Sequence, residues 1–281
     1  MDSQKKLTRN FSFEFFPPKT DQGRTNLHAT TQQLAELKPR FFSVTFGAGG
    51  STRDGTYDAV QDIQTLGQAA APHLSCVGST RQNMRDILNG YKVMGIRHLV
   101  ALRGDLPSGS VSPGELRYAS ELVEFIRAET GDWFHIEVAA YPEMHPQAKN
   151  VQHDLLNFKR KIDAGADSAM TQYFYNADAY FRFVDDCEAL GIQVPIVPGV
   201  MPITNYKQLA RFSDACGAEI PRWIRKRLEG YGEDLESIRA FGLDVTTSLC
   251  ERLLNAGAPG LHFYTMNRAG PTTQVWEGLG L

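Results

Sequence analysis

The chain has 281 residues, 42% of them apolar and 22% charged, with a formal net charge of −3, which suits one domain built around a single large core. No apolar run is long enough to cross a bilayer, the polar Met1–Asn10 segment has no apolar stretch behind it to serve as a signal peptide, and the acidic balance opposes nucleic-acid binding despite the short run Lys159-Arg160-Lys161. A cytoplasmic protein is expected, in which the widely spaced Cys76, Cys187, Cys216 and Cys250 stay free thiols and build no metal site.

Short apolar or β-branched runs alternate with longer helical patterns from end to end, the mark of repeated βα units around a parallel sheet. Eight runs are predicted as strands: Phe11–Phe15, Phe41–Thr45, His73–Val77, His98–Leu102, Ile136–Ala140, Ser168–Gln172, Ile196–Val200 and Leu261–Thr265. Gly95, Gly165, Gly191 and Gly257 each stand just past a helix, where a left-handed cap turns the chain toward the next strand. Pro39 is expected to end the first helix. The stretch from Glu219 to Gly257 carries two helical patterns instead of one, so an extra helix is expected before the last strand. No strand is followed by GxGxxG and no linker divides the chain, which favours a closed (β/α)8 TIM barrel of class α/β, one domain over 1–281, over an open doubly wound sheet. Barrel active sites form at the C-terminal ends of the strands, so chemistry is sought there.

In Asn10-Phe11-Ser12-Phe13-Glu14-Phe15 strict alternation sets the phenylalanines on one face and Ser12 and Glu14 on the other. With the phenylalanines against the helices, Glu14 points into the barrel mouth, where loss of hydration among aromatic rings raises its pKa toward a proton donor's range. A glutamate salt-bridged inside the barrel is the equal alternative. Leu102-Arg103-Gly104-Asp105 puts a glycine between opposite charges, either a close approach to a ligand or a solvated turn with a local ion pair. After the fifth strand, Tyr141 and His145 sit on a proline-stiffened loop. Asp154, Asn157 and Lys161 share one helix face, as a ribose- and phosphate-binding stripe or a solvated surface. Gln172 offers both donor and acceptor to a planar amide. Tyr264 to Arg268 closes the last strand.

Taken together, FSFEFFPPKT, SVTFGAGG, APHLSC, ALRGDLP, AAYPEMHP, DLLNFKRKIDAGAD, TQYF, IVPGVMPI and HFYTMNRA resemble, in order and through nearly the whole chain, the motif series of the bacterial methylenetetrahydrofolate reductases. The resemblance implies a flavin-binding catalytic barrel that holds FAD non-covalently and alternates between NADH or NADPH and methylenetetrahydrofolate, ping-pong, feeding methyl groups to methionine synthesis. Glu14 matches the family's proton donor, and Asp105 the aspartate near flavin and pterin that steadies the folate cation. Flavin contacts implied are Thr45, Ala48, His73, Arg103, Gly104, Asp105, Tyr118, Ala119, Tyr141, His145, Ala148, Asp154, Asn157, Arg160 and Lys161. Substrate contacts are Glu14, Asp105, Gln172, Gln208 and Arg268. Phe46 stands where some relatives have tyrosine, so a hydroxyl contact there does not carry over. A homo-oligomer is implied as well, and the short tail after Arg268 carries the expectation that the S-adenosylmethionine-binding module of eukaryotic relatives is absent. The competing readings are another flavin barrel, such as a proline-dehydrogenase-like oxidoreductase, and a folate- or flavin-binding barrel without turnover.

Overall fold

Phenylalanine at every second position dictates how the first strand sits. In the structure, a computed structural model that describes residues 1–46, 53–104 and 114–281, β1 (Asn10–Phe15) turns its rings outward. Phe11 meets Trp276 edge-on at 4.8 Å between centroids, and Phe15 stacks on Phe42 at 5.4 Å. Ser12 and Glu14 point the other way, into the lumen.

The remaining strands are β2 (Phe41–Val44), β3 (Ala70–Ser75), β4 (His98–Leu102), β5 (His135–Ala140), β6 (Ser168–Thr171), β7 (Ile196–Val197), β8 (Gly199–Val200) and β9 (Gly260–Tyr264). All described pairings are parallel, in the order β7-β6-β5-β4-β3-β2-β1-β9-β8. Pro198 has no amide hydrogen to give a ladder, so it splits the predicted run Ile196–Val200 into two halves. The first half pairs with β6 and the second with β9, and the Pro198 carbonyl accepts from the His262 amide at 3.0 Å. The row thereby closes on itself as the predicted eight-position α/β barrel. The third strand starts earlier than expected, at Ala70 rather than His73, because Ala70 and Ala71 pair with Phe42 and Ser43; two alanines give no strand signal of their own.

Around the strands lie α1 (Asp21–Ala35), α2 (Arg53–Thr65), α3 (Arg81–Val93), α4 (Ala119–Thr130), α5 (Val151–Asp163), α6 (Ala177–Ala189), α7 (Tyr206–Cys216), α8 (Arg222–Tyr231), α9 (Leu235–Asn255) and α10 (Ala269–Gly278). The two patterns read after Glu219 are α8 and α9. Gly95, Gly165, Gly191 and Gly257 all adopt positive φ, the conformation their place after a helix calls for. Pro39 does not end α1: the helix stops at Ala35 and the chain turns at Lys38, φ +53°. Helix starts at the strands' C-terminal rim are capped by side chains, as where Asn150 accepts from the His153 amide and Asn205 from the Gln208 amide.

Two apolar layers result. The larger fills the space between strands and helices with Phe13, Phe42, Leu74, Leu99, Ile136 and Phe263. A separate one, Phe41, Ala71, Val100 and Met170, fills the lumen and blocks it as a pore. Gln4, in a short 3-10 turn the sequence did not announce, is buried beside β7, accepting from the Ile196 amide at 2.8 Å and donating to the Val194 carbonyl at 3.1 Å. Among the described residues no helix is long and apolar enough to cross a membrane.

Candidate functional site

Above the apolar plug, the inward positions of neighbouring strands turn polar. Parallel register sets Ser12 beside His262 and Glu14 beside Tyr264, so four lumen-facing side chains from β1 and β9 meet at the C-terminal end. Glu14 Oε2 lies 3.3 Å from His73 Nε2 and 3.4 Å from His262 Nε2. His262 is fully buried, its Nδ1 is 2.7 Å from Ser12 Oγ, and its ring is edge-on to Tyr264 at 5.2 Å. Tyr264 in turn donates its hydroxyl to the Thr171 carbonyl at 2.7 Å.

This setting corrects the expectation of a raised Glu14 pKa. Burial is the strongest single influence and does push upward, yet the charge of His73 and the hydrogen bond from His262 together outweigh it and hold the carboxyl at about 2. At rest Glu14 is a carboxylate between imidazoles. The orientation into the mouth is as predicted; the protonation state is not, because alternation along one strand says nothing about what β3 and β9 bring opposite it.

The predicted flavin contacts gather around the ends of β3, β4 and β5. Val77 donates its amide to the Arg103 carbonyl at 2.9 Å, and Ser75 Oγ donates to the same carbonyl at 2.8 Å. Gly104, at φ +83°, has no room for a Cβ, which would fall 1.9 Å from Ser75 Oγ. The Arg103 guanidinium reaches Gln147 on the next loop. There Tyr141 and His145 meet edge-to-face at 4.5 Å, and Ala148 donates its amide to the His145 carbonyl at 2.9 Å. Asp154 fixes this loop to α5 by accepting from the His145 amide at 2.7 Å. Asn157 accepts from Arg160 at 2.8 Å, and Lys161 turns inward to donate to the Ala139 carbonyl. Burial pushes the Lys161 amine down to about 8, against a weaker upward pull from Asp154. No ion pair to Lys161 occurs among the described residues. The stripe on α5 is therefore not a solvated surface at its Lys161 end.

Tyr118, exposed, and Ala119 open α4, and Cys76 Sγ, itself at the end of β3, is 3.8 Å from the Tyr118 carbonyl. Thr45 follows β2 and donates its amide to the Phe15 carbonyl at 2.9 Å. Gln172 continues β6, its amide on the Ala140 carbonyl at 2.8 Å. Gln208 and Arg268 stand at the starts of α7 and α10, on the same rim, without a described contact to Glu14. Ala48 and Asp105 lie outside the described residues. His262 and Ser12 were not singled out as site residues although both stand in the quoted motifs HFYTMNRA and FSFEFFPPKT; strand register, which no motif states, brings them together under Glu14.

A second polar group lies at the opposite, N-terminal end of the barrel. His98, His135 and Glu137 bring ligand atoms within 4.8 Å of one another. Burial first, then His135 and Arg40, pulls His98 down to about 4, and Arg40 also acts to lower Glu137. That neighbouring guanidinium opposes a cation, and His135 is already satisfied by Ser168 Oγ at 2.7 Å.

Comparison with known proteins agrees with the motif series. The family model "Methylenetetrahydrofolate reductase" matches residues 1–280. The 5,10-methylenetetrahydrofolate reductases of Salmonella typhimurium and Escherichia coli are each 44% identical over 97% of this chain and 91% of their own. Among solved structures, a Clostridium thermocellum protein described as binding two copies of 5-methyl-5,6,7,8-tetrahydrofolic acid superposes with a TM-score of 0.69 at 16% identity, over 99% of this chain and 95% of that one, a likeness of fold.

Proposed function

Because the chain belongs to the methylenetetrahydrofolate reductase family, we propose that it reduces 5,10-methylenetetrahydrofolate to 5-methyltetrahydrofolate with electrons from NADH or NADPH. The electrons pass through non-covalently bound FAD in a ping-pong cycle that feeds methyl groups to methionine synthesis. The observation that carries the reading is Glu14, a carboxyl group at the C-terminal mouth of the lumen, flanked by two imidazoles.

The residues fit a flavin dinucleotide on two counts. Lys161 is an inward-turned ammonium that no carboxylate pairs among the described residues, which suits a pyrophosphate. Gly104 supplies backbone where a side chain has no space, which suits close approach of a flat ring. Arg103, Tyr118, Ala119, Tyr141, His145, Ala148, Asp154, Asn157 and Arg160 would complete that side, with Thr45, Ala48 and His73 toward the ring. When bound, the flavin supplies a two-electron carrier between nicotinamide and folate. Gln172, Gln208 and Arg268 would hold the folate, Asp105 would steady positive charge developing on it, and Glu14 would give a proton to its N10, so that the N10–methylene bond breaks and the five-membered ring opens with the carbon left on N5. A cytoplasmic, homo-oligomeric enzyme completes the proposal.

The test is anaerobic stopped-flow on the purified protein. Flavin absorbance should bleach with NADH or NADPH and return on adding methylenetetrahydrofolate. Bleaching without return would favour another flavin barrel, of the proline-dehydrogenase kind; a colourless protein that binds no FAD would overturn every flavin reading.

A further inference from the structure

Before its last strand the chain runs through α8 and α9, the extra helical stretch already legible in the sequence, and α9 is drawn hard against the C-terminal rim. Gly242 makes that contact possible. A Cβ there would fall 2.1 Å from the Ile203 carbonyl oxygen and 2.8 Å from the Ile203 Cβ, so helix and loop meet backbone to backbone. The loop follows β8 and leads into α7, on the rim where Glu14 stands. Arg239, about one turn before Gly242, is thereby held beside Ile203, and Arg268, at the start of α10, borders the same cleft.

The cleft encloses about 290 Å³, close to the lower limit of small-molecule pockets at roughly 300 Å³. It has room for a flexible chain and not for a whole dinucleotide. Pro202, Leu243 and Val275 give it apolar walls. Among the described residues no carboxylate lines it, and neither guanidinium has a hydrogen-bond or ion-pair partner. Two permanent cations gathered without an anion raise the local potential and attract negative charge.

We propose that this cleft takes the γ-linked glutamate tail of the folate, with Arg239 as the residue that sets the preference for tail length. The inference rests on the reading of the chain as a methylenetetrahydrofolate reductase and deepens it. A folate reacts at its pterin end and terminates, at the other, in a glutamate; each γ-linked glutamate added brings one more carboxylate. Arg268 lies four positions beyond Tyr264, the register partner of Glu14, so it meets the first glutamate. Arg239, out on the helix layer, meets the carboxylates added beyond it, and a guanidinium can grip each with two parallel N–H bonds. The methylenes between carboxylates lie on the apolar walls. A dinucleotide phosphate would satisfy the same two cations, but it brings no apolar surface to Pro202, Leu243 and Val275, which favours the tail.

The test compares KM for methylenetetrahydrofolate as the monoglutamate and as the γ-linked triglutamate, with flavin-loaded enzyme at low ionic strength. Wild type should favour the triglutamate by about 3- to 30-fold in KM. Arg239→Gln should remove about 3- to 10-fold of that preference, with kcat for each form within about two-fold of wild type. The preference should shrink as salt is raised past about 0.1 M, where screening acts over roughly 10 Å. Gln274→Glu places a negative charge in the same cleft and should move the preference the same way, which covers an Arg239 variant that fails to fold. Equal KM for the two forms in wild type, or a preference that survives both substitutions, would overturn the tail cleft and leave the functional reading standing. A raised KM for NADH or NADPH with the tail preference unmoved would give the cleft to the dinucleotide phosphates, and so overturn it too. Wild-type enzyme that is reoxidised by neither folate would overturn the functional reading, and the tail cleft with it.

Discussion

Lys161 gives the sharpest quantitative expectation, because its amine costs the empty protein stability while serving an anionic ligand. Its pKa is held at about 8 rather than the ordinary 10.5, which at ~1.4 kcal/mol for each pH unit of that gap sets an upper bound of about 3.5 kcal/mol on the cost of the buried charge. The residue as a whole is only half-buried, and removing it also frees the Ala139 carbonyl at about 1 kcal/mol. Lys161→Met is therefore expected to stabilise flavin-free protein by roughly 0.5–2 kcal/mol at neutral pH. The sign with pH follows from a depressed amine: between about 8 and 10.5 the unfolded chain binds the extra proton, so wild-type stability rises through that window and the advantage of the variant shrinks toward pH 10. The same change should weaken FAD by about 10- to 100-fold, the worth of one charge-assisted hydrogen bond. Urea unfolding of the apo forms across this pH range and FAD titration by fluorescence measure both. A variant less stable than wild type at pH 7, or a gap that ignores pH, would refute the buried-charge argument; unchanged FAD affinity would return Lys161 to a structural role.

Three further outcomes are expected. Glu14→Gln keeps size and reach but has no proton to give, so reoxidation by methylenetetrahydrofolate should fall by about two to four orders of magnitude while reduction by the nicotinamide persists; reoxidation near the wild-type rate would remove Glu14 as the acid. Asp105→Asn should slow the folate half-reaction more than flavin reduction, since in the proposed role it removes the negative charge that steadies the developing cation, and equal losses in stopped-flow would sink that role. Gly104→Ala forces a Cβ to within 1.9 Å of Ser75 Oγ at φ +83°, so it should cost at least about 1 kcal/mol and loosen flavin; a melting temperature and FAD affinity equal to wild type would show that the β4 end moves aside freely.

Much of this protein was legible in its residues taken one after another. Alternation in Asn10–Phe15 oriented Glu14 correctly, because a strand's period of two leaves no choice once phenylalanines claim the outer face. The glycines after helices placed the helix-to-strand joints, because a positive φ is a local demand. Nine motifs in order brought the family. Local signals failed where partners were distant: Ala70 became a strand residue through Phe42, Ile196–Val200 split so that each half could serve a different neighbour, and Lys161 left the helix surface for the Ala139 carbonyl. The protonation of Glu14 was the largest of these reversals. Its burial could be guessed from the sequence, but the two imidazoles that overrule that burial arrive from 59 and 248 positions away, and only closure of the barrel, by fixing register between β1, β3 and β9, sets them against one oxygen.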